Sequence, residues 1–258
     1  METRKVAVVT GAGTGVGAAS ARWLAARGYR VLVNYSRSAE AAQAVAEDCR
    51  RSGSEAEALQ GDVALDADCV RIAQTALERW GRIDALVNSA GTTKFVPIPD
   101  LAGISADDFQ RIYAVNTVGP FQMARAAGRH MESGSAIVNV SSISALTGNG
   151  SSIAYVCSKG ALNTLTVALA RALAPKVRVN AVLPGFIEGR WLRDGLGDEA
   201  YERTKAQYAA GAALESACTP DQVADAIGWL ITGAPVTTGQ LITVDAGATI
   251  GRAPTLRR

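Results

Sequence analysis

KVAVVTGAGTGVG, residues 5–17, packs an apolar run of strand length, a glycine-rich turn and the opening of a helix into one short segment. Glycines at Gly11, Gly15 and Gly17 let the backbone turn sharply and come close to a pyrophosphate, with Thr14 and Val16 between them. The first amides of the helix would then donate to that anion, helped by the positive end of the helix dipole. No GK[ST] follows, so the turn is not a P-loop. Taken alone the turn also suits a plain glycine-rich corner or a methyltransferase nucleoside site.

The same strand–helix alternation continues along the chain. KVAVVT (5–10), YRVLVNY (29–35), EAEALQ (55–60), IDALVNS (83–89), SAIVNVSS (135–142), VRVNAVLP (177–184) and GQLITVDAG (239–247) read as strands. Most are continuous Val, Ile, Leu and Ala runs, the pattern of a parallel sheet covered on both faces. Helical stretches lie between them at 16–27, 38–52, 66–80, 105–131, 152–174 and 220–231, with Ser38, Asp66, Ser105 and Thr219 as candidate caps. The expected fold is α/β: a doubly wound, seven-stranded parallel sheet with right-handed crossovers. No linker or composition shift divides residues 1–258, which are expected to form one Rossmann domain.

Composition narrows the function. Hydrophobic residues make up 48% of the 258 and charged residues 19%, ample for a core. The net charge of +2 comes from interspersed groups, so no basic stripe points to nucleic acid. METRKVAVVTG lacks the apolar core of a signal peptide, and nowhere do 18 apolar residues run together. Cys49, Cys69, Cys157 and Cys218 have no paired or metal-like spacing, so the expectation is packed thiols in a cytoplasmic protein without a metal.

The end of the second strand addresses the cofactor. A carboxylate there would bind a ribose 2′-hydroxyl; instead Tyr35, Ser36, Arg37 and Ser38 stand in that place. Removing an acid and adding a guanidinium with two hydroxyls favours NADP(H), with NAD(H) as the alternative. Thr14 sits where a basic residue would have strengthened this reading.

SSIAYVCSKG, 151–160, sets Tyr155 and Lys159 one helical turn apart on one face. An ammonium at about 4 Å can supply the roughly 4 kcal/mol needed to bring a phenol from a pKa near 10 to near 7. Ser142 ends an apolar strand thirteen residues upstream of Tyr155, and NSAG (88–91) ends another, where open α/β sheets place their ligands. YAVNTVGP (113–120) puts Asn116 in the apolar face of a helix, an odd choice unless its amide meets a partner.

With these residues in view, the chain resembles the short-chain dehydrogenase/reductase family in its classical form, including 3-oxoacyl-carrier-protein reductases. The family's TGxxxGxG, NNAG, catalytic Ser, YxxxK, helix Asn and PG are matched by TGAGTGVG, NSAG, Ser142, Tyr155–Lys159, Asn116 and Pro184–Gly185. The resemblance implies hydride exchange between a nicotinamide and a ketone or secondary alcohol. It implies Tyr155 as acid/base, Ser142 polarising the substrate oxygen, and Lys159 acidifying Tyr155 and binding the nicotinamide ribose. Asn116 would hold a relay water, Asp62 and Val63 the adenine, Asn88, Ala90 and Gly91 the adenosine ribose, and Ile187 the carboxamide. It further implies a homo-tetramer or homo-dimer. The family's threonine five residues after the PG proline is Gly189 here, one hydroxyl fewer. EGRWLRDGLGDEAYERTKAQYAAGAAL, 188–214, suits a substrate lid, with Trp191, Leu192, Leu196, Tyr201 and Tyr208 as wall candidates alongside Phe95, Val96, Ile143 and Leu146. The competing expectation is a catalytically silent dinucleotide-sensing protein on the same fold, which would be expected to lose Tyr155, Lys159 or Ser142.

Overall fold

The computed structural model describes residues 4–252; residues 1–3 of the METRKVAVVTG segment and 253–258 lie outside them. The seven expected strands are present: β1 (Val6–Thr10), β2 (Arg30–Tyr35), β3 (Ala56–Gln60), β4 (Ile83–Asn88), β5 (Met131–Val140), β6 (Val177–Pro184) and β7 (Leu241–Val244). They form one parallel sheet in the order β3-β2-β1-β4-β5-β6-β7. The helices are α1 (Gly15–Ala25), α2 (Ala39–Arg51), α3 (Asp66–Trp80), α4 (Ala106–Tyr113), α5 (Gly119–Gly128), α6 (Ser144–Thr147), α7 (Ile153–Leu173), α8 (Arg190–Leu196), α9 (Asp198–Gly211) and α10 (Pro220–Thr232).

Successive strand residues face opposite sides, and both sides are apolar. Ala7, Val9, Val31 and Val33 pack with Leu24, Val45 and Ile227 of α1, α2 and α10. Val6, Val8, Leu86 and Ile137 pack with Ile72, Met123 and Leu169 of α3, α5 and α7. Each such large side chain contributes about 1.5–3 kcal/mol by leaving water. Within this apolar sheet four strands carry a buried asparagine: Asn34, Asn88, Asn139 and Asn180. Asn34 Nδ2 donates to Gly61 O at 3.1 Å, and Asn180 Nδ2 to Thr237 O at 2.9 Å. Asn88 Nδ2 donates to Asn139 Oδ1 and Asn139 Nδ2 to Thr166 Oγ1, both at 2.9 Å.

Several local expectations need correction. The helix expected over 105–131 is two helices joined by a π-helical turn at Ala114–Val118, with Pro120 at the start of α5. A proline has no N–H for the usual ladder, so the register is broken just before it. Asp66 is the first residue of α3 and Leu65 its cap, and Ser38 caps α2 without a side-chain bond. Ser105 and Thr219 form full capping boxes. Cys157 is exposed rather than packed, because α7 turns Tyr155, Ser158, Lys159 and Leu162 inward. Cys49, Cys69 and Cys218 are buried, and burial pushes the first two thiols up to about 11 and about 12. By length and composition α7 could cross a membrane, although no span was expected; half of its apolar window is buried against the rest of the chain.

Candidate active site

The strand order makes the site. From β1 the chain winds outward through β2 and β3, then returns to the other side of β1 with β4, so the loops after β1 and β4 diverge over a crevice. Thr10 and Asn88, the last residues of β1 and β4, are register partners. Gly11, Tyr35, Asp62, Asn88, Ser142 and Pro184 all lie at or just past the carboxyl ends of β1 to β6.

Gly11 has φ +61°, and a Cβ there would stand 2.6 Å from Ala90 Cα. The glycine turn and the NSAG loop therefore touch, backbone to backbone. Thr10, not singled out from the sequence, ties them: its Oγ1 accepts from Ser89 N at 3.1 Å and Ala90 N at 3.2 Å. A Cβ at Gly17 would stand 2.5 Å from Gly11 O, so α1 presses directly on the turn. Gly13 has no room for a side chain, because Ser38 Oγ occupies the place where a Cβ would stand. Thr14 and Gly15 are exposed at the α1 N-terminus, and Val16 is buried behind them. Ser36 and Arg37 are exposed between β2 and α2, and Arg37 makes no ion pair among the described residues.

Past β3, the Asp62 carboxylate accepts from Ala64 N at 3.0 Å, while Val63 is buried and its carbonyl accepts from Gln122 Nε2 at 2.8 Å. Asn88 Oδ1 is buried and has no partner among the described residues. A buried oxygen of this kind costs about 1–3 kcal/mol unless something donates to it. Gly91 lies beside Asn116 Oδ1 and Lys159 Nζ, 3.6 and 4.0 Å from where its Cβ would be.

The four residues expected to act on substrate come together on α7 and its neighbours. Asn116 is buried in the π turn. Its Oδ1 accepts from Thr92 N at 2.8 Å, and its Nδ2 donates to Thr92 O at 2.9 Å and to Ser158 Oγ at 3.0 Å. Ser158 Oγ in turn donates to Tyr155 O at 2.7 Å, a cross-link from the π turn to the tyrosine's helix that the sequence reading did not find. Lys159 Nζ donates to Val140 O at 2.7 Å and lies 5.6 Å from the Tyr155 ring centroid. Ser142 Oγ donates to Ser144 Oγ at 3.0 Å and also hydrogen-bonds Tyr155.

The electrostatics differ from the expectation. Burial pushes the Tyr155 phenol up to about 12, with the Ser142 hydrogen bond pulling partly back. Burial lowers Lys159 to about 8. Desolvation dominates at both groups, and the Lys159 ammonium is turned to Val140 O. Tyr155 thus holds its proton at neutral pH, and Lys159 titrates close to neutrality.

After β6, Gly185 is required by Tyr208, whose hydroxyl occupies the place of a Cβ and donates to Asp245 O at 2.7 Å. Pro184 O accepts from Ile143 N at 3.0 Å, and Ile187 bridges Cys218. At Gly189, which stands where the family carries a threonine, the backbone N–H donates to Tyr201 Oη at 3.1 Å. The 188–214 segment is mostly α8 and α9; Tyr201 and Tyr208 pack on Phe186, with ring centroids at 5.4 and 5.8 Å.

A nicotinamide dinucleotide fits these residues: the turn is packed tightly on its inner side at Gly11, Gly13 and Gly17, the exposed Gly15 at the α1 N-terminus has nothing within 4 Å of where a Cβ would stand, and Asn88 Oδ1 is a buried acceptor with no donor among the described residues. Comparisons with known proteins agree. The family model described as Enoyl-(Acyl carrier protein) reductase matches residues 11–249. A relative named for ketoacyl reduction in the granaticin polyketide synthase of Streptomyces violaceoruber is 39% identical over 94% of this chain and 95% of its own. The 3-oxoacyl-[acyl-carrier-protein] reductase of Synechocystis sp. is 34% identical over 95% of this chain and 97% of its own. The solved structure of LugOII, a promiscuous reductase that catalyses keto-reduction at C1 during lugdunomycin biosynthesis, superposes with TM-score 0.85 at 30% identity, over 95% of this chain and 97% of that one. The chain belongs to the short-chain dehydrogenase/reductase family and is an NAD(P)-dependent oxidoreductase.

Proposed function

We propose that the chain is an NADP(H)-dependent reductase of ketones, able to oxidise the matching secondary alcohols, with Tyr155 as its acid/base. The observation that carries this is the buried set Asn116, Ser142, Tyr155 and Lys159, gathered beside the glycine turn at one sheet edge. The relatives named for ketoacyl, 3-oxoacyl and keto-reduction support a carbonyl substrate.

The dinucleotide is held by the amides at Thr14, Gly15 and Val16, by Asp62 and Val63, by Asn88, Ala90 and Gly91, and by Pro184, Gly185 and Ile187. When bound it supplies the hydride. Ser142 donates to the substrate oxygen and draws electron density from the carbonyl carbon. Tyr155, protonated at neutral pH, gives that oxygen its proton. Lys159 holds the nicotinamide ribose and returns a proton to Tyr155, and Asn116 keeps the path from Lys159 to solvent in place. Arg37, with Tyr35, Ser36 and Ser38, takes the 2′-phosphate. Residues 188–214 close over substrate as a lid. The protein works in the cytoplasm; it assembles as a homo-dimer or homo-tetramer, and the exposed Phe109, Phe121 and Val167 on α4, α5 and α7 support that assembly.

The test is NADPH oxidation with a ketone panel, comparing the native protein with Tyr155→Phe. Loss of a positioned acid lowers kcat roughly 10²–10⁴-fold. Equal rates would remove Tyr155 from the chemistry. NADPH binding without turnover of any ketone would favour the silent sensing protein.

A further inference from the structure

Trp191 bridges two other rings at the mouth of the site. Its centroid is 6.1 Å from Phe95, tilted 59°, and 6.0 Å from Tyr155, tilted 50°. Both separations lie in the range where aromatic pairs attract through edge and face. The three rings come from three elements: Phe95 from the loop after β4, Trp191 from the first turn of α8, Tyr155 from α7. Gly195, one turn further along α8, has no side chain because the Phe95 ring edge occupies that space. The lid helix is therefore seated on Phe95, and this seating sets where Trp191 hangs beside Tyr155. Trp191 nonetheless stays 48% exposed, an indole surface that two rings contact and the described residues leave half open.

We propose that this aromatic wall selects planar, ring-fused aromatic ketones, whose reacting carbonyl reaches Tyr155 while the fused ring lies along Trp191 and Phe95. The inference deepens the ketone-reductase reading and rests on it for the reacting group. A saturated ring of the same carbon skeleton gains burial alone at such a wall. An aromatic one adds quadrupole contacts with the indole and phenyl rings, roughly three- to tenfold in affinity per ring pair.

The probes are 2-tetralone and 2-decalone, which share a skeleton and differ in the aromatic ring. The ratio of their kcat/KM values is measured with NADPH for the native protein, Trp191→Leu and Phe95→Leu. Comparing ratios between proteins cancels the intrinsic reactivity of each ketone. The expected result is a ratio favouring 2-tetralone that falls roughly tenfold in Trp191→Leu, mostly through KM, and less in Phe95→Leu. A loss shared equally by both ketones overturns the inference. A second arm needs no turnover: calorimetric binding of 2-naphthol and 2-decalol to the protein mixed with NADP. Preference for 2-naphthol that disappears in Trp191→Leu supports the wall even if neither ketone is reduced, in which case only the reductase reading fails. Turnover of both ketones with no aromatic preference in either arm leaves the reductase reading standing and sinks the wall.

Discussion

Replacing Lys159 with methionine should make the protein more stable while it destroys the site. The amine is 4% exposed and its pKa is lowered from 10.5 to about 8 by desolvation. At about 1.4 kcal/mol per pKa unit, keeping it charged at pH 7 costs the fold about 3 kcal/mol. The methionine loses the charge-assisted hydrogen bond to Val140 O, worth about 2 kcal/mol, and fills nearly the same volume. The net expectation is a gain of about 1 kcal/mol at pH 7 for Lys159→Met. The pH dependence gives a second handle. A lysine whose folded pKa is depressed contributes most above its unfolded value of 10.5, and that contribution is lost as pH falls through about 8. At pH 9 the native amine has already shed its proton while the unfolded one has not, so the native protein's burden shrinks by about 1 kcal/mol. The gap between variant and native protein should narrow accordingly. Urea denaturation followed by circular dichroism at pH 7 and pH 9, at one protein concentration and without dinucleotide, reads both quantities. A variant no more stable than the native protein at pH 7, or a gap that does not change with pH, would refute the burial argument.

Three further outcomes are expected. Gly11→Ala meets Ala90 Cα at 2.6 Å with φ +61°, whereas Gly15→Ala at φ +56° meets nothing, so urea melts should show the first at least about 1 kcal/mol less stable than the second; equal losses would mean the turn and the NSAG loop are not in contact. Ser158→Ala leaves an Asn116 donor buried without its acceptor and should cost about 1–3 kcal/mol by the same measurement, and an unchanged midpoint would show the cross-link to be idle. Arg37→Asp should weaken NADPH binding tenfold or more while leaving NADH within about twofold, as read by fluorescence titration; an unchanged NADPH affinity ends the 2′-phosphate assignment.

Much of this was legible in the sequence, and the exceptions have physical causes. β1, β2, β3, β4 and β6 fall within a residue or so of their expected bounds, because apolar runs between glycine-rich turns leave little freedom. β5 begins at Met131 rather than 135, since Met131 pairs with Ile83 ahead of a shift in register that periodicity cannot display. The π turn hid inside continuous helical spacing, although Gly119–Pro120 was its visible mark. Asn116 stood out as a polar group in an apolar helix face, Tyr155 and Lys159 by their i, i+4 spacing, and Ser142 by its place at a strand end; the structure brings the four side by side. Ser158 and Thr10 were missed because small hydroxyl residues are ordinary in a helix and at a strand end, and only three-dimensional neighbours reveal what they join. The pKa directions could not be read at all, since desolvation depends on how deeply α7 is buried.

The buried asparagines have a consequence for how the strands find one another. In most sheets a slip of one residue turns oily side chains toward water and is rejected at once. Here both faces are covered, so a slipped Val-Ala-Ile strand would stay just as dry. What such a slip cannot keep is the hand-to-hand amide chain from Asn88 through Asn139 to Thr166, or the grips of Asn34 and Asn180 on their loops. Mispaired, these amides would be stranded in oil. The alignment that carries the strand ends of the candidate site to one rim is thus enforced during assembly by a few polar keys set in a featureless apolar lock.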